Sequence, residues 1–531
     1  MGRNFLLNGG FDSPVSLNSK VTFGSARGGR DIMVEQQELP DYIVGTVQMA
    51  DGVSLANICQ PTAHVYGDHV SIVGMDGIEI ERYSTLSDAS KHINIDNSAI
   101  HSYLLEEDYV FSSLFDYGLT LKTNTVIDLN GHKLSTTRNN FVLDVSNGAR
   151  VHLKNGQVVC NQLGFNVSDG VLRMSNLTVL QNGVANGSDR LLNLASRNCG
   201  PEAHAVGYID RDVTINCTNY MNGAAIFLYP ESLDKFAVEG EDGTVSYVER
   251  NKPTLVFNGK LYVNSGSMDR DKYAYGICTN GTTSLEGAII ILNEGAVVEV
   301  DNGPGIHIAG RDRITLNGGT VTGSFCGIDI RAGTLLVPQY STAVVHGTGE
   351  DGNANGWQNG WYCGHFGGQG AGDFNTGDAL IIESSSYGSN STFGFPVRPP
   401  SVSIFGGTFI SDHGNPIGSY AHSKIDAFTE YTDYDLNLGK TVAGGGLGVV
   451  GKFYRITGGT QARSNWNWFE EVDINNLEYY ERLTGFVRGG LLSAPPSDGE
   501  YGWFLGDNAS KDILFEGKHT QPTESGMYRV V

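Results

Sequence analysis

The sequence predicts an all-β chain coiled as a right-handed parallel β-helix. Three observations lead there: a strand–turn–strand unit that recurs at a nearly fixed interval, a second apolar motif in step with it, and almost no helical periodicity. The unit reads Thr125-Val-Ile-Asp-Leu-Asn-Gly-His-Lys-Leu134, Val151-His-Leu-Lys-Asn-Gly-Gln-Val-Val159, Val171-Leu-Arg-Met-Ser-Asn-Leu-Thr-Val179 and Leu255-Val-Phe-Asn-Gly-Lys-Leu-Tyr-Val263. It continues in Ile289-Ile-Ile-Leu-Asn-Glu-Gly-Ala-Val-Val298, Ile314-Thr-Leu-Asn-Gly-Gly-Thr-Val321, Ser401-Val-Ser-Ile-Phe-Gly-Gly-Thr-Phe-Ile410 and Tyr454-Arg-Ile-Thr-Gly-Gly-Thr460. Asn130 and Asn155 lie 25 residues apart, and Asn293 and Asn317 lie 24 apart.

The second motif is Gly276-Ile-Cys-Thr-Asn-Gly, Gly305-Ile-His-Ile-Ala-Gly and Gly327-Ile-Asp-Ile-Arg-Ala-Gly, the last two 22 residues apart. Each coil therefore reads as strand, Asn/Gly turn, strand, loop and Gly-Ile-x-Ile strand. Successive coils stack about 4.8 Å apart through backbone hydrogen bonds. Alternation sends both isoleucines inward and the residue between them outward. A sandwich or propeller requires antiparallel hairpins, which this one-directional phase does not supply.

Composition narrows the function. The 531 residues exceed one ordinary core, and 71 glycines against 15 prolines indicate many ordered tight turns. With 35 basic and 58 acidic residues the net charge is −23. That argues against nucleic acid and against docking onto anionic lipid or an anionic capsule, unless cations or local basic patches intervene. No apolar run reaches the ~18 residues of a membrane span, so no membrane insertion is expected. Cys59, Cys160, Cys199, Cys217, Cys278, Cys326 and Cys363 are scattered. They form neither a Cys-x-x-Cys nor a Cys/His cluster, and with no secretory leader they read as reduced thiols made in a cytosol. No cofactor or metal motif occurs: phosphate-loop, nucleophile-elbow and His-Glu-x-x-His patterns are all missing.

Ahead of the first coil come Tyr83-Ser-Thr-Leu-Ser-Asp-Ala-Ser-Lys-His-Ile93, a short helix with a Ser/Thr start, then Glu107-Asp-Tyr-Val-Phe111, then Leu121-Lys-Thr-Asn-Thr-Val-Ile-Asp-Leu-Asn-Gly. This order resembles the pectin-lyase-like β-helix superfamily as it occurs in bacteriophage tailspikes, over roughly residues 83–465. The resemblance implies a small N-terminal β-rich domain at 1–82, with the basic Arg27-Gly-Gly-Arg30, for particle attachment or an accessory role. It implies a β-helix body at 83–465 with an insertion at about 335–400. An aromatic-rich tail at 466–531 (Trp466, Trp468, Tyr479, Tyr480, Trp503) would form a cap or trimerisation region. It further implies a homotrimer in the virion tail, made in the host cytoplasm, whose partners are other tail proteins and a host surface polysaccharide.

Two places could carry chemistry. Register puts Cys278, His307 and Asp329 in one outward file, with Asn280, Ala309 and Arg331 in the next, so His307, Asp329 and Arg331 would form an exposed group suited to a glycan. The insertion contributes Trp357, Trp361 and Tyr362 as flat faces for sugar rings, with Asp373 and Asp378 as nearby acids. Glycoside hydrolysis requires two carboxylates, about 5–5.5 Å or 6.5–9.5 Å apart. Asp329 with Asp373 or Asp378 is the expected pair, and His307, Arg331, Trp357, Trp361 and Tyr362 are the expected substrate contacts. The alternatives are outward residues that simply meet water, and aromatics that pin the loop or pack on another subunit. Three functions stay open: a tailspike-like glycan binder with or without endoglycosidase activity, a non-enzymatic virion fibre, and a bacterial β-helix lyase, hydrolase or adhesin.

Overall fold

The computed structural model describes residues 62–183 apart from 75–76, 94–100, 113–115 and 117, then 190–196, 199, 203–218, 223–230, 252–266, 273–279, 287–330, 333–349, 377–384, 400–421, 483–496 and 511–531. Isolated strands at 6–7, 21–23, 32–33, 47–49, 237–239, 245–247, 428–430, 434–435, 440–441, 453–458 and 468–472 complete it.

The architecture is all-β, largely parallel, and consistent with a parallel β-helix. Three strands make a coil, as in Ile289–Leu292, Val297–Val300 and Pro304–Ile308. Each pairs in parallel with its counterpart one coil on: Arg313–Leu316, Thr320–Gly323 and Cys326–Ile330. The ladders present three faces. The first holds strands of the Thr125–Asp128 kind, the second those after the Asn/Gly turn, such as Lys133–Thr136, and the third the Gly-Ile-x-Ile strands. The third face is a sheet of ten strands, every neighbouring pair parallel. The first two belong to one 24-stranded sheet, because Ala149–Cys160 and Gly170–Gln181 run unbroken across the corner between them. Asn155 (φ 62) and Asn176 (φ 45) turn those corners, and asparagine tolerates the left-handed region better than most residues.

The core is a vertical stack. Leu119, Leu143, Phe165, Leu192, Ile226, Ile277, Ile306, Ile328, Leu380 and Ile417 occupy one inward register position through the third face, all buried. Burial of each such side chain is worth roughly 1.5–3 kcal/mol. The glycine ahead of each isoleucine also faces inward. A Cβ on Gly305 would sit 2.7 Å from Val321 Cγ1 and 2.6 Å from the Gly327 carbonyl oxygen. The motif therefore runs out, in (small), in (large), out, in. Asparagines brace the corner too: Asn317 Nδ2 donates to Asn293 Oδ1 (2.9 Å), and Asn293 Nδ2 to Asn258 Oδ1 (2.7 Å).

The expected helix forms at Leu86–Ile93, with Thr85 Oγ1 accepting from the Asp88 amide (3.1 Å), and it packs on Leu119–Leu121, the first strand of the third face. Such a cap covers an otherwise open sheet edge. Strands at Thr62–Val65, Val70–Val73 and Glu79–Tyr83 also join the large sheet, the first in parallel with His101–Leu105. Within 335–400, where the repeat was expected to lapse, Thr334–Val337, Val344–Gly347 and Asp378–Ser384 carry all three faces onward.

One member of the expected repeat series is not a coil. Phe453–Gly458, the strand of the Tyr454–Thr460 unit, pairs antiparallel with Phe428–Glu430 and Trp468–Val472 in a separate three-stranded sheet. A Gly-Gly turn after Ile-Thr marks where a strand stops and says nothing of what it pairs with. The ladder resumes at Val487 and Leu491, bridged in parallel to Ile404 and Thr408, and ends in the antiparallel strands Thr520–Pro522 and Tyr528–Val530. No helix among the described residues is long and apolar enough to cross a membrane.

Candidate functional site

The expected file on the third face exists in register but not in exposure. Cys278, His307 and Asp329 are successive partners, and His307 Nδ1 lies 2.8 Å from Asp329 Oδ2. Yet His307 is 0% and Asp329 1% exposed, and Ala309 in the next file is buried as well. The expectation of an exposed group is thus corrected. Pointing away from the coil interior is a property of the strand, whereas meeting water depends on what lies over the sheet. Tyr275 packs beside this file, its ring 5.5 Å from that of His307.

A further acid, absent from the sequence reading, lies close by. Asp312 is fully buried and accepts hydrogen bonds from the amides of Ala288 (2.6 Å) and Gly310 (3.1 Å) and from the Thr279 hydroxyl. Burial pushes its carboxyl up to about 6, against the pull of these donors and of His307. Thr279, in the inward register position that Leu228 holds one coil earlier, also accepts from the Ala309 amide (3.0 Å). The group therefore ties three chain segments together. Asp378 is buried on the next coil, paired with Cys326, and accepts from the Asn415 amide (2.7 Å). Asp373, Arg331, Asn280, Trp357, Trp361 and Tyr362 lie outside the described residues.

An accessible group of suitable chemistry stands instead on the second face. Tyr262, Glu299, Thr322 and His346 are successive register partners, one above the next. Asn264 closes its strand two residues beyond Tyr262, and Asp301, Ser324 and Thr348 follow immediately after the other three strands. All eight are exposed or half-buried. Alternation produces this pattern: in Val297–Val300 both Val298 and Val300 are core, so Glu299 must point out. Residues two apart on a strand have Cα atoms about 6.6 Å apart, and stacked ones about 4.8 Å. The result is an outward array of hydroxyls, amides, carboxylates and a histidine, in which Tyr262 follows Asn216 and precedes Glu299.

Within the array, commitment to the fold differs from residue to residue. Asp301 Oδ1 accepts from the Ser265 amide (2.9 Å), and His346 Nε2 lies 2.8 Å from Asp412 Oδ1. The Glu299 carboxylate and the Tyr262 hydroxyl have no hydrogen-bond or ion-pair partner among the described residues. Sequence reading passed over both. The usable signal was Val298-Glu-Val-Asp301, two residues after the Asn293-Glu-Gly295 turn, with Glu299 and Asp301 alternating with core valines. Among the described residues no group of His, Cys, Asp and Glu is arranged to hold a metal ion.

No protein-family model matches this chain, no curated protein matches it, and no solved structure matches it. Its functional reading therefore stands on the geometry above.

Proposed function

We propose that this chain is a right-handed parallel β-helix of the tailspike kind that binds a surface polysaccharide along its second face. Handedness follows from the strong preference of parallel crossovers for the right-handed sense. The observation that carries the binding reading is Tyr262 beside Glu299, two accessible groups with no partner among the described residues, within a file of polar side chains whose spacing repeats every coil. A polysaccharide is itself a linear repeat, so a regular column of donors and acceptors can meet successive sugar units. A flat aromatic ring supplies the apolar contact such sugars need. Attachment through the N-terminal residues, a homotrimeric virion tail assembly and a bacterial host remain part of the proposal through the resemblance above.

The same array bears on cleavage. Glu299 and Asp301, two accessible acids two residues apart in the chain, are the candidate carboxyl pair to flank a glycosidic bond. The hydrogen bond from Ser265 to Asp301 favours the alternative, a binder without hydrolysis, because it commits one of the two carboxylates to the fold. The test is incubation of the full chain with purified surface glycan from candidate hosts, scoring both retention and new reducing ends. Retention that falls about tenfold in Tyr262→Ala supports the reading, since loss of a stacked ring typically costs at least about 1 kcal/mol. Reducing ends that vanish in Glu299→Gln assign hydrolysis. No retention of any glycan, or retention untouched by both substitutions, overturns it.

A further inference from the structure

At the C-terminal end of the first face, three side chains stack up successive rungs. The Phe405 amide donates to the Val337 carbonyl, the Arg488 amide to Ile404 and the Phe515 amide to Val487, so each residue rises one strand above the last. The Arg488 guanidinium carbon lies 5.4 Å from the Phe405 ring centroid and 4.0 Å from that of Phe515. Both rings are 38% exposed, and Arg488 is exposed between them. The ladder holds this geometry, since Val487 bridges Ile404 on one side and Leu514 on the other.

Arg488 has no carboxylate partner among the described residues. Both rings lie within cation–π range of the guanidinium. Its N–H fork, the part that matches a planar oxyanion in two parallel hydrogen bonds, makes no hydrogen bond among the described residues. Lys518 sits in the tight turn that follows Phe515, its amide bonded to the Phe515 carbonyl. Glu516 lies in the same turn.

We infer that Arg488, clamped between Phe405 and Phe515, is a subsite for the carboxylate of an acidic sugar. The flanking ring edges meet the sugar's C–H surface, and the guanidinium takes the carboxylate in bidentate fashion. This deepens the glycan reading by naming the ligand class. It also resolves a tension in the charge: a chain at −23 engages an anionic polymer only through a local cationic point.

The test uses the full chain and calorimetric titration with hexamers of polygalacturonate, hyaluronan and polysialate, each beside its carboxyl-reduced counterpart. The expected result is preference for at least one acid over its reduced form. Arg488→Gln should lower that affinity about tenfold, as for loss of a charge-assisted bidentate contact. Arg488→Lys should recover only part of it, and neither variant should change binding of the neutral form. Unchanged thermal melting of the two variants keeps the comparison interpretable, and Phe515→Leu, which removes a stacking face but no charge, gives an intermediate loss. Equal affinity for every acid and its reduced form overturns the inference, as does a preference that survives Arg488→Gln. A preference for phosphorylated over carboxylated hexamers overturns the carboxylate assignment. Tyr262→Ala separates this outcome from the parent reading: it weakens acid and neutral forms alike if the second-face array is the track, whatever Arg488 does.

Discussion

Two outward files on neighbouring faces of the same coils have opposite fates. On the third face Cys278, His307 and Asp329 point away from the coil interior and are dry; on the second, Tyr262, Glu299, Thr322 and His346 point away and are wet. Both arise from the same alternation in the same stretch of chain. The difference teaches that a β-helix position has two separate attributes, its direction from the coil and its contact with solvent. A charged residue in the first setting serves the fold, whereas in the second it is available to a ligand.

The largest expected effect breaks that comparison directly. Asp329→Asn leaves His307 facing an amide in a dry environment and should destabilise the chain by about 3 kcal/mol or more. Glu299→Gln should stay within about 0.5 kcal/mol of the parent. Urea unfolding midpoints of the pair measure both, and equal effects would remove the distinction between the files.

Next comes pH. The buried Asp312 carboxyl, pushed up to about 6, is a folded-state group that prefers its proton. Its contribution to stability is full below the ordinary value of 3.8 and is lost as pH rises through about 6. Asp312→Asn should therefore change the pH dependence of the unfolding free energy by about 3 kcal/mol between about pH 4 and pH 7. His152 on the first face acts in the opposite sense. Burial, then Arg173 and Lys154, depress it to about 3, so its contribution is full above 6.5 and fades as pH falls towards 3. A flat difference between the parent and the Asp312 variant would contradict the burial assigned to this acid.

A smaller effect probes the inward glycines. A Cβ at Gly327 would lie 2.6 Å from the Ala379 carbonyl oxygen and 2.7 Å from Val345 Cγ1. Gly327→Ala should cost about 1–3 kcal/mol by crowding the coil interior, read as a lowered melting temperature. Smallest is Asp412→Asn, which removes the carboxylate that faces His346 Nε2 at 2.8 Å on the exposed face. A change of about 0.5 kcal/mol or less is expected, and it should shrink further in salt.

Much of this was legible in the primary structure. The turn asparagines 155, 293 and 317 brace the corners of stacked coils, and Ile306 and Ile328 fall in one inward file, because a period-two pattern repeated at a fixed interval admits few other pairings. The helix before the first coil was announced by its Thr85 cap. The pairing of His307 with Asp329 was legible too. Their dryness was not, nor was the inward glycine, nor the departure of Tyr454–Thr460 into a separate antiparallel sheet.

The sequence by itself determined the coil unit, its three strands and the register of successive rungs, since hydrophobic alternation and turn chemistry are local and repeat with the chain. Tertiary structure alone decided which outward file meets water and which acids are buried. It alone brought Phe405, Arg488 and Phe515, more than a hundred residues from first to last, into one stack. Those outcomes depend on segments distant in sequence coming to lie over or beside a strand, and no local pattern encodes that.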